Sequence, residues 1–530
     1  MARRFSITTA IDYTNSAPHI GHAYEKVLAD VLARYHRLKG EEIFFLTGVD
    51  QHGQKVQQSA ARAGVPPAEF VRDVTQKFID LWRKLDVRYD EWAETVDERH
   101  QRVVRGILQR LFDEKQIYKD KQKGWYSVRQ EQFLTDKERG PDGEFGPEWG
   151  QVEEREEENY YFKLNQHKEW LLKYLDDRRD GVIPDYRQTE LHNAVEKLSG
   201  DLCISRPKSR LDWGIELPFD KDFVTYVWFD ALTNYISFAG YEPGQSTFKD
   251  QPSTFQNRWP ALQIIGKDIL IPAHGIYWLI MLHALGFSDG EMPQLLVHGW
   301  WNIGGAKMSK SEGNAVDPSA LADKYGAEAL RYYLMSDIGT GKDADFSEER
   351  LIDVYNSGLA NSLGNLLNRS LNMTGRFCGQ MVPDSKDEIR EPGSQNSFPE
   401  KMEIWTGTVK DSFKEMQPES VLFVLRLVAT ELNRLIEEKP PWTLAKSTDP
   451  EDQKILKAVL YTLLESLRII AILIWPILPG AAHRIFDQLN WKMALSGKEE
   501  RFRLQDAKWG ALPDGHGVGT PVPLFPRIDS

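Results

Sequence analysis

The first fifty or so residues read strand, helix, strand, and that order leaves few folds open. Phe5-Ser6-Ile7-Thr8-Thr9-Ala10-Ile11 reads as a buried parallel strand. A loop with Asn15, Ser16 and Pro18 follows. From about Gly21 to Leu38 the apolar residues Val27, Leu28, Val31, Leu32 and Tyr35 recur at helical spacing, and Gly40 ends the helix. Glu42-Ile43-Phe44-Phe45-Leu46-Thr47 is a second strand, opening onto Gly48-Val49-Asp50-Gln51-His52-Gly53. This is the start of a doubly wound α/β domain, whose ligands bind beyond the C-terminal ends of the strands.

The alternation then breaks. Residues 116–224 carry glycine, proline and charge without a βα rhythm, and read as an insertion between two halves of one nucleotide-binding fold, residues 1–115 and 225–299. The rhythm returns with Phe223-Val224-Thr225-Tyr226-Val227-Trp228-Phe229-Asp230 entering a helix. Leu262-Gln263-Ile264-Ile265-Gly266 and Gln294-Leu295-Leu296-Val297-His298 supply further strands. Beyond a lysine-rich loop region at 300–345 the strand signal disappears, and residues 346–496 carry helical patterns over Leu359–Met373, Val421–Glu437 and Gln453–Ile472. Pro440-Pro441 stops one helix, and residues 497–530 read as an irregular tail.

At 530 residues the chain is too long for one core, so two to four domains are expected. No stretch approaches the roughly 20 apolar residues of a membrane span, and Met1-Ala2-Arg3-Arg4-Phe5 leads into a strand without an apolar signal core. A cytoplasmic protein is the expectation. The lone cysteines Cys203 and Cys378 can build neither a disulfide framework nor a cysteine-rich zinc site. A net charge of −13 argues against coating nucleic acid by charge alone, though a localised basic stripe could still bind phosphates. The acidic run Glu153-Glu154-Arg155-Glu156-Glu157-Glu158 reads as a solvated segment.

Two short motifs carry the chemistry. Pro18-His19-Ile20-Gly21-His22 places two imidazoles and a glycine where strand runs into helix. Lys307-Met308-Ser309-Lys310-Ser311 places two ammonium groups three residues apart, before Glu312-Gly313-Asn314. Chemistry at a phosphate builds negative charge on its oxygens and on the departing group, so a site for it positions groups and neutralises charge. His19 and His22 can face one phosphate at a helix start, Gly21 lets adenine approach the backbone, and Lys307 and Lys310 bring mobile charge to the leaving group. Each motif alone has a plain reading: a helix-start histidine is often a cap, and a Lys-x-x-Lys is usually a solvated face. In this order, flanking an interrupted α/β fold, they form one triphosphate clamp.

The pair resembles the signature of class I aminoacyl-tRNA synthetases. The resemblance narrows at Tyr226-Val227-Trp228-Phe229-Asp230-Ala231-Leu232-Thr233-Asn234-Tyr235 and at Ile265-Gly266-Lys267-Asp268-Ile269-Leu270, followed by His274 and Trp278, which are similar to methionyl-tRNA synthetases. Asp201-Leu202-Cys203-Ile204-Ser205-Arg206 and Leu211-Asp212-Trp213-Gly214-Ile215 match the same family, and the similarity runs from about Phe5 to Trp442. It implies an α/β Rossmann-like catalytic domain split by a connective insertion, followed by an α-helical anticodon-binding bundle. It implies ATP bound by Gly21, His19, His22, Lys307, Met308, Ser309, Lys310 and Ser311, with His19, His22, Lys307 and Lys310 catalytic, and Mg²⁺ accompanying the nucleotide. The implied methionine pocket is Ile11, Tyr13, Trp228, Ala231, Tyr235, His274 and Trp278, with Asp50 holding the ammonium. Sulfur–aromatic contacts favour a thioether only modestly, so hydrogen bonds near the sulfur matter, and Tyr13 and His274 are the candidates. In the bundle, Asn361, Asn365 and Trp442 would read and stack on the bases of a tRNA(Met) anticodon.

Two departures stand out. Many members carry zinc-binding cysteines in the insertion, where this chain has Gly124-Trp125-Tyr126-Ser127-Val128-Arg129-Gln130-Glu131; Ser127 and Glu131 make no thiolate site, so no zinc is expected. Ile271-Pro272-Ala273-His274 is one residue longer than the usual spacing after Asp268, which unsettles the place of Ala273 in the pocket. The chain ends soon after the bundle, without the appended domain some relatives use to dimerise, and a monomer is expected. Ligases for leucine, isoleucine or valine carry a hydrolytic editing domain larger than this insertion. A cysteine ligase would show zinc ligands around its pocket, and a non-catalytic tRNA-binding relative would have no use for the clamp.

Overall fold

The computed structural model describes residues 3–127, 132–134, 139–140, 142–245, 247–307, 315–385, 389–390, 395–491 and 502–529. A seven-stranded sheet organises the N-terminal half. Its centre is Arg4–Thr9, flanked by Glu42–Asp50 and Leu262–Gly266, with Ile7 opposite both Phe45 and Leu262. Gln294–His298 extends it on one side and Glu91–Glu94 on the other, and every pairing in the sheet is parallel. Ile7, Phe45, Ile264 and Leu296 have no solvent exposure, as continuous apolar runs in a covered parallel sheet require. The helix Ile20–Leu38 packs on one face, burying Val27, Leu28, Val31 and Leu32 against the sheet.

One edge strand differs from the expectation. Val182–Ile183 pairs in parallel with Leu295–Leu296, so the stretch read as insertion returns to the main sheet midway. Two residues ahead of a proline carry no periodicity from which a strand could be read. Phe223–Thr225, where the βα rhythm was expected to resume, lies instead in Asp220–Thr225, the middle strand of a small antiparallel sheet. The insertion's main feature is a hairpin of Ile117–Ser127 with Val152–Phe162, in register from Ile117↔Phe162 to Ser127↔Val152. The acidic run lies on this hairpin, where Glu158 and Glu154 face Lys119 at 3.0 Å and Lys123 at 3.6 Å.

The helical half is built on Asn365–Cys378, Phe398–Lys414, Pro418–Glu438 and Pro450–Ile474. Its apolar core is continuous with that of the helix Ile20–Leu38. A buried guanidinium reinforces that junction: Arg331 reaches Asp30 Oδ2 at 2.7 Å and donates to the carbonyls of Ile477, Leu85 and Pro476. The tail is not loose. Phe502, Leu512, Val518 and Leu524 are buried in the same core, and the ion-paired Glu465 and Arg468 bind its backbone at Gly510–Leu512, Asp506 and Lys508. Short apolar residues spaced by glycine and proline gave no periodic signal for this packing.

Candidate functional site

A cavity of about 530 Å³ opens where the central strands end. Ala10 and Ile11 follow the first strand, Asp50 ends the second, and Gly266 and His298 end the next two; all line it. The helix Val227–Ser237 closes one wall with Trp228, Ala231 and Tyr235.

His19 and His22 form the N-terminal cap of Ile20–Leu38. His19 Nδ1 accepts the Gly21 N–H at 3.1 Å, and the His19 N–H donates to His22 Nδ1 at 3.0 Å. With both Nδ1 atoms accepting, each ring carries its proton on Nε2, and that of His22 faces Asp12 Oδ1 at 4.0 Å. The rings lie 3.7 Å apart, and both residues line the cavity. The plain reading of these histidines as caps and the phosphate reading thus coexist, since capping is what fixes the tautomers. Gly21 is required for a local reason too: a Cβ there would lie 2.9 Å from the His19 ring.

Seven of the eight residues expected around the amino acid line this cavity: Ile11, Tyr13, Asp50, Trp228, Ala231, Tyr235 and His274. The eighth, Trp278, stands behind, fully buried, with its ring 5.6 Å from Tyr235 and its indole N–H on Gln263 Oε1 at 3.0 Å. Tyr13 has room because residue 53 is glycine, at φ +106°, where a Cβ would lie 2.7 Å from its hydroxyl. His274, a candidate for a hydrogen bond near the sulfur, has both ring nitrogens engaged within the protein. Its Nδ1 donates to the Ile269 carbonyl at 2.9 Å, leaving Nε2 to accept the Tyr235 hydroxyl at 2.7 Å. Burial pushes this imidazole down to about 4, so it is a neutral wall held by Tyr235. The segment Leu270–Trp278 is helical apart from Ile271, which is extended at φ −115° and ψ 121° ahead of Pro272; His274 lines the cavity, whereas Ala273 is buried and off its wall.

The sequence reading missed the charges beneath this surface. Lys26, 1% exposed, donates to Asp12 Oδ1 at 2.6 Å, Glu25 Oε1 at 2.8 Å and the Ala10 carbonyl at 2.9 Å. Glu25 Oε2 also meets His298 Nε2 at 3.0 Å. Burial pushes the Glu25 carboxyl up, but Lys26 and His298 outweigh it and hold it below the usual carboxylate range. Asp50 goes the other way. Burial first, then the neighbouring Asp230, holds it well above that range, with the His52 amide only partly opposing. A cationic ligand beside Asp50 would restore its charge. Asn234, also on the wall, has a buried Oδ1 that accepts no hydrogen bond. The one signal for such residues is Lys26, Asp30 and Arg34 at four-residue spacing on a helix whose surroundings are apolar.

Among the described part of the lysine motif, Ala306–Lys307 form a short strand beside Trp301–Ile303. Met308, Ser309, Lys310 and Ser311 lie outside the described residues, as does Glu131 in the insertion. Ser127 is buried, its hydroxyl donating to the Trp149 carbonyl at 2.5 Å. Among the described residues no group of three or more His, Cys, Asp or Glu is placed to hold a metal ion, and no helix is long and apolar enough to cross a membrane. In the bundle, Asn361 lies in a π-helical turn and Asn365 begins the next helix, both exposed. Trp442 is 41% exposed in the short helix after Pro440. Arg369, one turn beyond Asn365, pairs at 2.6 Å with Glu437, five residues before Trp442, which ties the two segments to one end of the bundle.

The comparisons with known proteins agree with this architecture. The family described as tRNA synthetases class I (M) matches residues 5–142 and 149–371. A methionine–tRNA ligase of Caldanaerobacter subterraneus is 38% identical, over 100% of this chain and 80% of its own length. One of Deinococcus radiodurans is 39% identical, over 99% and 74%. The methionyl-tRNA synthetase of Mycobacterium tuberculosis in complex with methionyl-adenylate superposes with a TM-score of 0.88 at 35% identity, covering 99% of this chain and 100% of that one. Its apo form gives a TM-score of 0.82 at 31% identity. With the histidine cap, the aromatic wall and the helical bundle in place, the chain belongs to the methionyl-tRNA synthetases of class I.

Proposed function

We infer that this protein is a methionine–tRNA ligase. It joins L-methionine to ATP, forming methionyl-adenylate with release of pyrophosphate, and transfers the methionyl group to the terminal adenosine of tRNA. The observation that carries this reading is the cavity that brings a histidine cap together with a buried carboxyl group and an aromatic wall. On this reading Asp50 binds the substrate ammonium, and Ile11, Tyr13, Trp228, Ala231 and Tyr235 enclose the side chain. His274, itself on the wall, and Trp278 behind it hold Tyr235 in place, leaving Tyr13 as the hydroxyl that meets the thioether. His19 and His22 face the α-phosphate next to Gly21, while Lys307 and Lys310, with Met308, Ser309 and Ser311, meet the pyrophosphate. The carboxylate of methionine attacks the α-phosphorus, the bond to the β-phosphate oxygen breaks, and pyrophosphate leaves with charge neutralised by the lysines. Mg²⁺ enters with ATP as a counter-ion of its phosphates.

Asn361, Asn365 and Trp442 are proposed to contact the anticodon of tRNA(Met), supported by their exposure at one end of the bundle. A cytoplasmic monomer without a zinc knuckle completes the reading. The test is Asp50→Asn in ATP–pyrophosphate exchange. Losing a charge-assisted hydrogen bond of about 1.5–3 kcal/mol raises KM for methionine at least about tenfold. An unchanged KM would remove the ammonium from Asp50.

A further inference from the structure

Behind Asp50 the fold places a second carboxylate that does not reach the cavity. Asp230 lies in the first turn of Val227–Ser237, between Trp228 and Ala231. Those two line the cavity, whereas Asp230 is 1% exposed and turned away from it. It takes two imidazoles at once, His52 Nδ1 at 2.7 Å and His100 Nε2 at 2.8 Å. A carboxylate has only lone pairs to give, so both nitrogens must carry protons. His100, from Glu98–Asp113, also meets Ser237 Oγ through Nδ1 at 2.7 Å. His52 continues the chain toward the substrate, because its backbone N–H donates to Asp50 Oδ1 at 3.3 Å.

We propose that Asp230 is a positioning residue for methionine activation: it pins the His52 ring, through the His52 amide aims the Asp50 carboxylate at the substrate ammonium, and adds a negative field behind it. The proposal rests on the reading of Asp50 as the ammonium seat. The two carboxylates divide their roles by environment. Burial pushes Asp230 up, but His52 and His100 outweigh it, so it stays ionised. Asp50 has no such pair and is held up by burial and by Asp230. A substrate that brings its own positive charge is therefore favoured over an uncharged isostere. The other charged or titratable groups on the cavity wall are Asp12, Tyr13, His19, His22, Glu25, Lys55, Tyr226, Tyr235, Asp268, His274 and His298, and the variants below leave them in place.

The test is ATP–pyrophosphate exchange with methionine varied across pH, in the full-length protein, for wild type, Asp230→Asn and Ser237→Ala. Asp230→Asn keeps the shape and removes the charge. It is expected to raise KM for methionine about tenfold, as for one charge-assisted hydrogen bond lost, with kcat changed less than about twofold. The acid limb of kcat/KM moves to lower pH, because Asp50 loses a like-charged neighbour. Ser237→Ala removes a hydrogen bond from the same cluster without touching its charge, and the limb stays where it was. An unmoved limb in Asp230→Asn, or an equal movement in Ser237→Ala, would overturn the proposal. Should Asp230→Asn not fold, ¹⁵N spectra of the wild-type histidines decide: His52 protonated at Nδ1 supports the geometry, and a bare Nδ1 overturns it. Asp50→Asn separates the two readings. An unchanged KM there defeats the ammonium seat, whereas a raised KM with an unmoved limb in Asp230→Asn defeats this proposal alone.

Discussion

Replacing Lys26 with methionine would leave two carboxylates in the cavity wall without their shared cation. The side chain is nearly isosteric, so the space stays filled while three hydrogen bonds, at 2.6, 2.8 and 2.9 Å, disappear. Asp12 and Glu25, 4% and 6% exposed, have little access to water in compensation. Removing one member of a buried ion pair costs about 3–5 kcal/mol. Glu25 keeps His298 at 3.0 Å, which places the expected loss at the lower end, about 3 kcal/mol. The loss should depend on pH with a definite sign. In the wild-type chain the Glu25 carboxyl is held below its unfolded value, so it stabilises the fold above the unfolded pKa and loses that contribution as pH falls through the folded one. In the variant burial remains and its main opponent is gone, so the carboxyl rises and protonation relieves the folded state. The difference between the proteins is then greatest at neutral pH and shrinks toward the carboxylate range. A chain with two cores need not unfold in one step, so the assay is native-state hydrogen exchange of the Val27–Tyr35 amides, which reads the opening of that helix directly. A difference below about 1 kcal/mol at neutral pH, or one that fails to shrink near roughly pH 5, would refute the reasoning.

Three further outcomes are expected. Lys310→Ala cuts the rate of adenylate formation while equilibrium methionine binding changes little; a wild-type exchange rate removes its assigned role. Trp442→Ala weakens tRNA charging and spares tRNA-independent exchange, and equal loss of both argues against an anticodon contact. His274 is pushed down to about 4 by burial, so the unfolded chain takes up a proton near its ordinary value that the folded chain refuses. Stability therefore falls as pH drops from about 6.5 toward 4, and His274→Gln should flatten that slope in thermal unfolding; an unchanged slope would show that the ring is not the cause.

The outline of the fold could be read from apolar runs and their punctuation, because a parallel strand covered on both faces leaves little doubt in sequence. Phe5–Ile11 and Leu262–Gly266 are of that kind. Val182–Ile183 is not: its place in the sheet depends on register with Leu295–Leu296 and on partners such as Gln188, whose side chain takes the Val182 N–H. The site shows the same division. His19, Gly21 and His22 are close in sequence and their capping geometry follows from that closeness, whereas the charged layer beneath depends on partners far apart. His52 and Asp230 are 178 residues apart, and Glu25 and His298 are 273 apart. The Tyr235 hydroxyl meets His274 Nε2 across 39 residues of sequence, and tautomers follow from such hydrogen-bond partners.

The most direct measurement is ATP–pyrophosphate exchange by the purified protein without tRNA, offered methionine, leucine, isoleucine, valine and cysteine in turn with Mg²⁺ present. Exchange driven by methionine alone is the predicted result. Exchange with another of these amino acids would contradict the pocket, and no exchange with any of them in a folded protein would contradict catalysis itself.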